Sequence, residues 1–267
     1  MCPHTDDTAE IAVEYPLGDP RDDNAMAASH AYRGTIILLH GYDLFDNQPG
    51  TDPWAALHSF VRMMREHFEP MGYLVINPAY RTDQPFPFGA QQVMNGLRYH
   101  QTPLQHVHVF GYSMGGLVAR QMIANGDLSP ASLTTYCSPH MGTGWWIPSL
   151  PFKNGGARSL EPASPEIMAL YNNARDQAMR QRYHCLGVGY YELGNNKWHD
   201  NDQLIECKSQ LMWSFDPPPA AQHKWAFHRQ VPVSPQGGVH SSCQQEPMVR
   251  AAFAHMTHLI NQLDGPF

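Results

Sequence analysis

A chain of 267 residues is long enough for one large α/β domain with a well-buried core, and its 42% apolar content is ordinary for a folded protein. No apolar run approaches the ~20 residues that a membrane span requires, and a net charge of −7 without a basic stripe argues against nucleic acid as a partner. Five cysteines without CxxC spacing make no metal or redox motif.

The opening Met1-Cys-Pro-His-Thr-Asp-Asp lacks the basic and apolar regions of a signal peptide. The expectation is therefore a cytoplasmic protein, or a secreted one if the chain is trimmed. The first thirty residues are polar with scattered prolines, an extended lead-in with one early strand around Ile11–Tyr15. Thr35-Ile-Ile-Leu-Leu39 is short, β-branched and continuously apolar, as a strand buried on both faces of a parallel sheet should be. Asp52-Pro53 then supplies an N-cap and a first helical position. Leu57, Phe60, Val61, Met64 and Phe68 recur at helical spacing, predicting an amphipathic helix over 53–68. Tyr73-Leu-Val-Ile76 is the next strand, a proline-rich loop follows at 83–89, and 90–100 reads as a helix.

Residues 111–115 read Gly-Tyr-Ser-Met-Gly between a strand-like run, His106–Phe110, and a helix-like run, Leu117–Met122. Alone, this five-residue pattern would arise by chance in roughly one chain in ten of this length. Flanked by strand and helix, and followed by a second glycine at Gly116, it predicts a nucleophile elbow: a sharp turn that exposes Ser113 at the top of a sheet. Beyond it, Gly126 closes the helix, and Leu133–Cys137 and His184–Tyr191 read as strands. A last strand is expected within Lys224–Val233, and a terminal helix at roughly 247–263. Alternation of this kind means parallel crossovers and helices on both faces of the sheet. The stretch between Gly142 and Arg182, rich in Pro, Gly and Trp and then helical over Pro165–Arg182, is too long for a connection, so 143–181 is expected to be a lid or cap inserted in one domain spanning 1–267.

A serine hydroxyl needs a base, an orienting acid and oxyanion donors. In this arrangement the chain order is Ser, then acid, then His. The acid is expected in the loop Gly194–Glu206, as Asp202, with Asp200 the alternative. The base is expected after the last strand, where Gly237-Gly-Val-His-Ser-Ser242 places His240 behind flexible glycines. Backbone N–H groups of Met114 and Tyr42 are the expected oxyanion donors, and His40 reads as a packed loop residue.

Together, Leu38-Leu-His-Gly41, Gly111-Tyr-Ser-Met-Gly-Gly-Leu-Val-Ala-Arg120, Ser138-Pro-His-Met-Gly142 and Asn201-Asp-Gln-Leu-Ile205 resemble the α/β-hydrolase superfamily, and more narrowly bacterial triacylglycerol lipases. The last stretch is similar to the family's Asn-Asp-Gly-Leu-Val segment carrying the catalytic acid, which favours Asp202 over Asp200. Tyr42-Asp43 and Met141 depart from the family's usual residues. The resemblance implies an α/β-hydrolase fold with a mostly parallel central sheet. It also implies a serine esterase, most simply a lipase acting on acylglycerols or similar lipid esters; a short-chain carboxylesterase or an acyltransferase using the same triad are the alternatives. It further implies a lid in which Trp145, Trp146, Ile147, Leu150 and Phe152 offer an apolar surface to a lipid chain or make transient contact with a lipid interface, although the same aromatics could equally pack the cap onto the sheet. No cofactor is expected and no metal ligands can be assigned. Cys207 and Cys243 each follow a member of the expected triad, so the two sulfurs could meet as a disulfide if the protein is oxidised.

Overall fold

The computed structural model describes residues 32–42, 54–144, 154–229, 239–240 and 243–265. The early strand expected at Ile11–Tyr15 and the cap expected at Asp52-Pro53 lie outside these residues. Strands β1 (Gly34–Leu39), β2 (Tyr73–Ile76), β3 (Val107–Tyr112) and β4 (Ser132–Tyr136) have every residue buried, as a sheet covered on both faces requires; β1 and β2 are largely apolar runs, whereas β3 buries His108 and β4 buries Ser132, Thr134 and Thr135. With β5 (Tyr183–Glu192), β6 (Lys197–His199) and β7 (Ala221–Arg229) they form a seven-stranded sheet ordered β2-β1-β3-β4-β5-β6, with β7 paired along the other edge of β5. Every pairing is parallel except the short β5–β6 hairpin.

Helices cover both faces. Helix α1 (His58–Phe68), preceded by a 3₁₀ turn at Ala55–Leu57, buries Phe60, Val61, Met64 and Phe68. It packs beside the terminal helix, Glu246–Asp264, against Phe110 and Tyr112 of β3. On the opposite face, α2 (Phe86–Tyr99) and α3 (Met114–Ala124) pack together over Val107 and Val109. The alternation of β3 side chains thus feeds two separate cores. Each fully buried large aliphatic or aromatic side chain contributes about 1.5–3 kcal/mol.

Four expectations need correction. Helix α2 begins at Phe86, within the stretch read as a proline-rich loop; Pro87 sits in its first turn, where a missing N–H is no loss. The region expected as one helical run over Pro165–Arg182 is divided into α5 (Pro165–Tyr171), α6 (Ala174–Met179) and a 3₁₀ turn at Arg180–Arg182, after a short α4 (Gly155–Ser159). The break falls at Asn172-Asn173, where the Asn173 side chain accepts from the N–H groups of Arg175 and Asp176 and so starts a new helix. The acid loop carries a hairpin strand, β6, and leads into a short α7 (Cys207–Gln210), neither of which follows from periodicity. Strand β7 starts three residues ahead of Lys224, and the expected continuation over 230–233 lies outside the described residues. The terminal helix is α8 (Glu246–Asp264). No helix among the described residues is long and apolar enough to cross a membrane.

Candidate active site

Strand β3 turns into α3 through Ser113, whose backbone sits at φ 52°, ψ −121°. A residue with a side chain occupies such a region at a cost of about 1–3 kcal/mol, so neighbouring structure must impose it. Two hydrogen bonds do so: the Ser113 N–H donates to Tyr136 O at 2.8 Å, and the Gly116 N–H to Ser113 O at 3.2 Å. The first turn of α3 also lies against backbone. A Cβ at Gly115 would overlap the Leu39 carbonyl, and one at Gly116 would overlap the Ser138 hydroxyl. Only glycine lets the helix approach β1 and the loop after β4 this closely.

The three side chains expected to act together meet in one chain of hydrogen bonds. Ser113 Oγ lies 3.1 Å from His240 Nε2, and His240 Nδ1 lies 2.7 Å from Asp202 Oδ2. With the ring proton on Nδ1, the imidazole donates to Asp202 and its Nε2 accepts from the serine. Asp202 is fully buried, and its Oδ1 accepts from the N–H groups of Leu204 (3.0 Å) and Ile205 (2.7 Å). Three N–H groups thus replace the water lost by this carboxylate. Asp200 is excluded from the chain: its carboxylate pairs with Lys224.

Two residues supporting His240 were not singled out in the sequence. The Tyr112 ring stacks on the imidazole, centroids 5.4 Å apart, and its hydroxyl donates to the His240 carbonyl at 3.2 Å. Loss of hydration, then the nearby Cys243, Cys137 and Asp202, push this phenol well above the usual tyrosine range, so it stays a neutral donor. Gln203, next to the acid, accepts from the Val239 N–H at 3.1 Å and ties the acid loop to the base. Neither carries a signal of its own. Tyr112 lies inside the elbow motif at a position that tolerates any residue, and the Gln203 partner is distant in sequence.

The β1 loop comes against the elbow at Gly41, where a Cβ would stand 3.0 Å from Ser113 Cβ. Tyr42 follows directly, bringing its backbone to the same edge of the sheet as Met114, the first residue of α3. The Tyr42 hydroxyl donates to Asn154 Oδ1 at 3.0 Å, joining this loop to the N-cap of α4. His40 is buried, stacked on Tyr80 at 4.0 Å and accepts from the Tyr80 N–H at 3.3 Å, the packed loop role expected of it. Trp145, Trp146, Ile147, Leu150 and Phe152 lie outside the described residues. The disulfide considered between Cys207 and Cys243 is absent: both thiols are free, and Cys243 Sγ lies 3.2 Å from Cys137 Sγ instead. Cys207 points to the Val188 carbonyl.

Two clusters among the described residues have donor sets that could hold a metal: Cys137, Asp202 and Cys243, and His106, His108 and Asp264. In the first, Asp202 is already engaged by His240.

No protein-family model and no curated protein matches the sequence. Solved structures do resemble the fold. The lipase BlEst2 of Bacillus licheniformis in its mature form matches at a TM-score of 0.54 and 14% identity, over 85% of this chain and 92% of that one. Its propeptide form gives a TM-score of 0.55 at 13% identity over 87% of this chain and 50% of that one, so the chain spans about half the length of that form. The product of the gene lin2722 from Listeria innocua gives 0.50 at 14% identity, over 83% and 93%. At such identities the likeness is one of fold.

Proposed function

We propose that this chain, an α/β-hydrolase by fold, is a serine-dependent carboxylic ester hydrolase working through an acyl-enzyme. The observation that carries this reading is the hydrogen-bonded chain Ser113–His240–Asp202 with the serine on a strained turn. His240 Nε2 takes the Ser113 proton as Oγ attacks the ester carbonyl, and Asp202 holds the imidazole in the tautomer that leaves Nε2 free to accept. The Tyr42 and Met114 N–H groups receive the oxyanion. Collapse expels the alcohol, which takes the proton from His240. Water then attacks the acyl-serine, with His240 again as base, and the acid leaves.

The substrate class we assign is long-chain lipid esters, acylglycerols or similar. Two things support it: the fold neighbour BlEst2 is described as a lipase, and the insertion carries Trp145, Trp146 and Ile147, which would face the acyl chain as part of a lid over 143–181. The test is hydrolysis of p-nitrophenyl esters from acetyl to palmitoyl by wild type and Ser113→Ala. Activity that rises with chain length and vanishes in the variant is the expected result. Serine-dependent activity confined to short chains would reduce the assignment to a carboxylesterase, and transfer of the acyl group to an added alcohol in preference to water would make it an acyltransferase. Hydrolysis equal in both proteins would overturn the proposal.

A further inference from the structure

At the other end of the strands, roughly 16 Å along β3 from Ser113, side chains from β2, β3 and the loop before β3 converge on one carboxylate at the end of α8. His106 and His108 stand two residues apart, so both rings lie on the same face of the chain, centroids 5.0 Å apart. Both direct Nε2 at Asp264, the last residue of α8: His106 Nε2 is 2.9 Å from Oδ1 and His108 Nε2 is 3.1 Å from Oδ2. The Tyr73 hydroxyl donates to Oδ2, and Ser132 Oγ holds His108 Nδ1 at 2.8 Å. Arg33 bonds the carbonyl oxygens of Asp264 and Gly265.

We infer that His106, His108 and Asp264 form a binding site for a divalent transition-metal ion of the zinc class. Two imidazoles and a carboxylate are a donor set that suits such ions. The spacing suits them as well. Ligands at about 2.0–2.1 Å in a tetrahedron stand about 3.3 Å from one another, so the present N···O distances of 2.9 and 3.1 Å need only a slight opening to admit the ion.

The proton bookkeeping also closes. Each neutral imidazole moves its single proton from Nε2 to Nδ1, freeing Nε2 as a ligand, and for His108 the Ser132 hydroxyl oxygen accepts the Nδ1–H. That is the outer-shell contact by which metal-bound histidines are oriented. Arg33 already caps the carbonyl oxygens at the end of α8, so the attraction for a cation rests on the Asp264 carboxylate itself. The His108 and Asp264 side chains are 0% and 4% exposed, whereas that of His106 is 42% exposed, leaving one open side for entry and for a water as fourth ligand.

The test uses chelator-treated full-length protein titrated with Zn²⁺ by calorimetry and with Co²⁺ by visible absorption. Wild type should bind one equivalent with a dissociation constant on the order of 1 μM or tighter, develop Co²⁺ d–d bands and melt at higher temperature with Zn²⁺ present. His106→Ala, at an exposed position, and Asp264→Asn should each weaken binding at least ~10-fold. His223→Ala, an exposed histidine on β7, should bind as wild type does. Absence of a stoichiometric site in wild type, affinity unchanged in His106→Ala, or loss in His223→Ala would each overturn the assignment. Ester hydrolysis enters none of these readouts.

Discussion

The division of labour within Asp202 shows how much one atom decides. Its Oδ1 is held by two backbone N–H groups and its Oδ2 by the imidazole. An asparagine could keep the carbonyl oxygen on Leu204 and Ile205, so the loop would stay in place. Its amide would then face His240 Nδ1 as a donor and force the ring proton onto Nε2, where the imidazole can no longer accept from Ser113. Asp202→Asn should therefore lower kcat for ester hydrolysis by a factor on the order of 10⁴, as in serine proteases with the equivalent change, with little change in melting temperature. Steady-state kinetics beside a thermal melt checks it. A melting temperature that falls together with the activity would mean that Asp202 acts through loop structure and not through the tautomer. The residues alone point to Asp202 but leave Asp200 open as the alternative, because both sit in the same polar loop. The ion pair that occupies Asp200 comes from Lys224, twenty-four residues on.

At the level of elements, what could be read in advance was whatever repeats locally. Strands β1 and β2 are largely apolar runs, and α1 keeps Phe60, Val61, Met64 and Phe68 on one stripe. The misreadings occurred where local signals conflict with tertiary ones. Phe86-Pro-Phe88 looked like a loop because proline breaks helices, yet proline in a first turn starts one. Lys197–His199 has no apolar alternation and exists as a strand only because it pairs with Tyr190–Glu192. A histidine cluster made by three distant elements was equally hidden: His255 of α8 has its ring 5.8 Å from His184 of β5 and 4.8 Å from His223 of β7. Burial, then the neighbouring histidines, lowers His184 and His255 to about 4 from 6.5, and His255 Nε2 is buried without a hydrogen-bond partner. Both must stay neutral in the fold. Because their folded values are depressed, the unfolded chain binds protons first, so stability falls as pH drops from about 6.5 towards about 4 and levels off below. His255→Leu removes one of these groups, while His184 keeps its shift, which comes from its own burial and from His223. The substitution should flatten the stability curve over that window, read as chemical-denaturation midpoints from neutral to acid pH. Parallel curves for wild type and variant would show that the cluster does not set the acid limit.

On the scale of the whole molecule, the question is what fastens the helices between β4 and β5 to the sheet that carries Ser113. The answer centres on Asp176 of α6. Its carboxylate accepts from Arg120 Nε and Nη2 of α3, both at 2.8 Å, from Arg180 Nε and Nη2 at 3.2 and 3.1 Å, and from the Tyr183 hydroxyl of β5 at 3.0 Å. Arg120 also reaches His140 Nδ1 at 3.3 Å, and burial followed by the two guanidiniums holds that imidazole well below the usual histidine range, so it remains a neutral acceptor. The helix α3 after Ser113, α6 and the sheet therefore meet at one carboxylate that is 0% exposed, between guanidiniums that are 0% and 1% exposed. Replacing it by alanine leaves two buried cations without a counter-charge, a change that costs about 3–5 kcal/mol. That is about a third of the stability of an ordinary domain. The surface pairs Arg62–Glu66 and Arg250–Glu246, with side chains at least half exposed, are worth about 0.5 kcal/mol or less each. Asp176→Ala should thus lower the denaturation midpoint far more than Glu66→Ala or Glu246→Ala. Adding Arg120→Met and Arg180→Met to it should restore part of the loss, because the penalty lies in the stranded charges and not in the missing attraction. If Asp176→Ala melted with Glu66→Ala, these helices would be held by their apolar contacts alone, through Ile167 and Leu170 against the α2–α3 core.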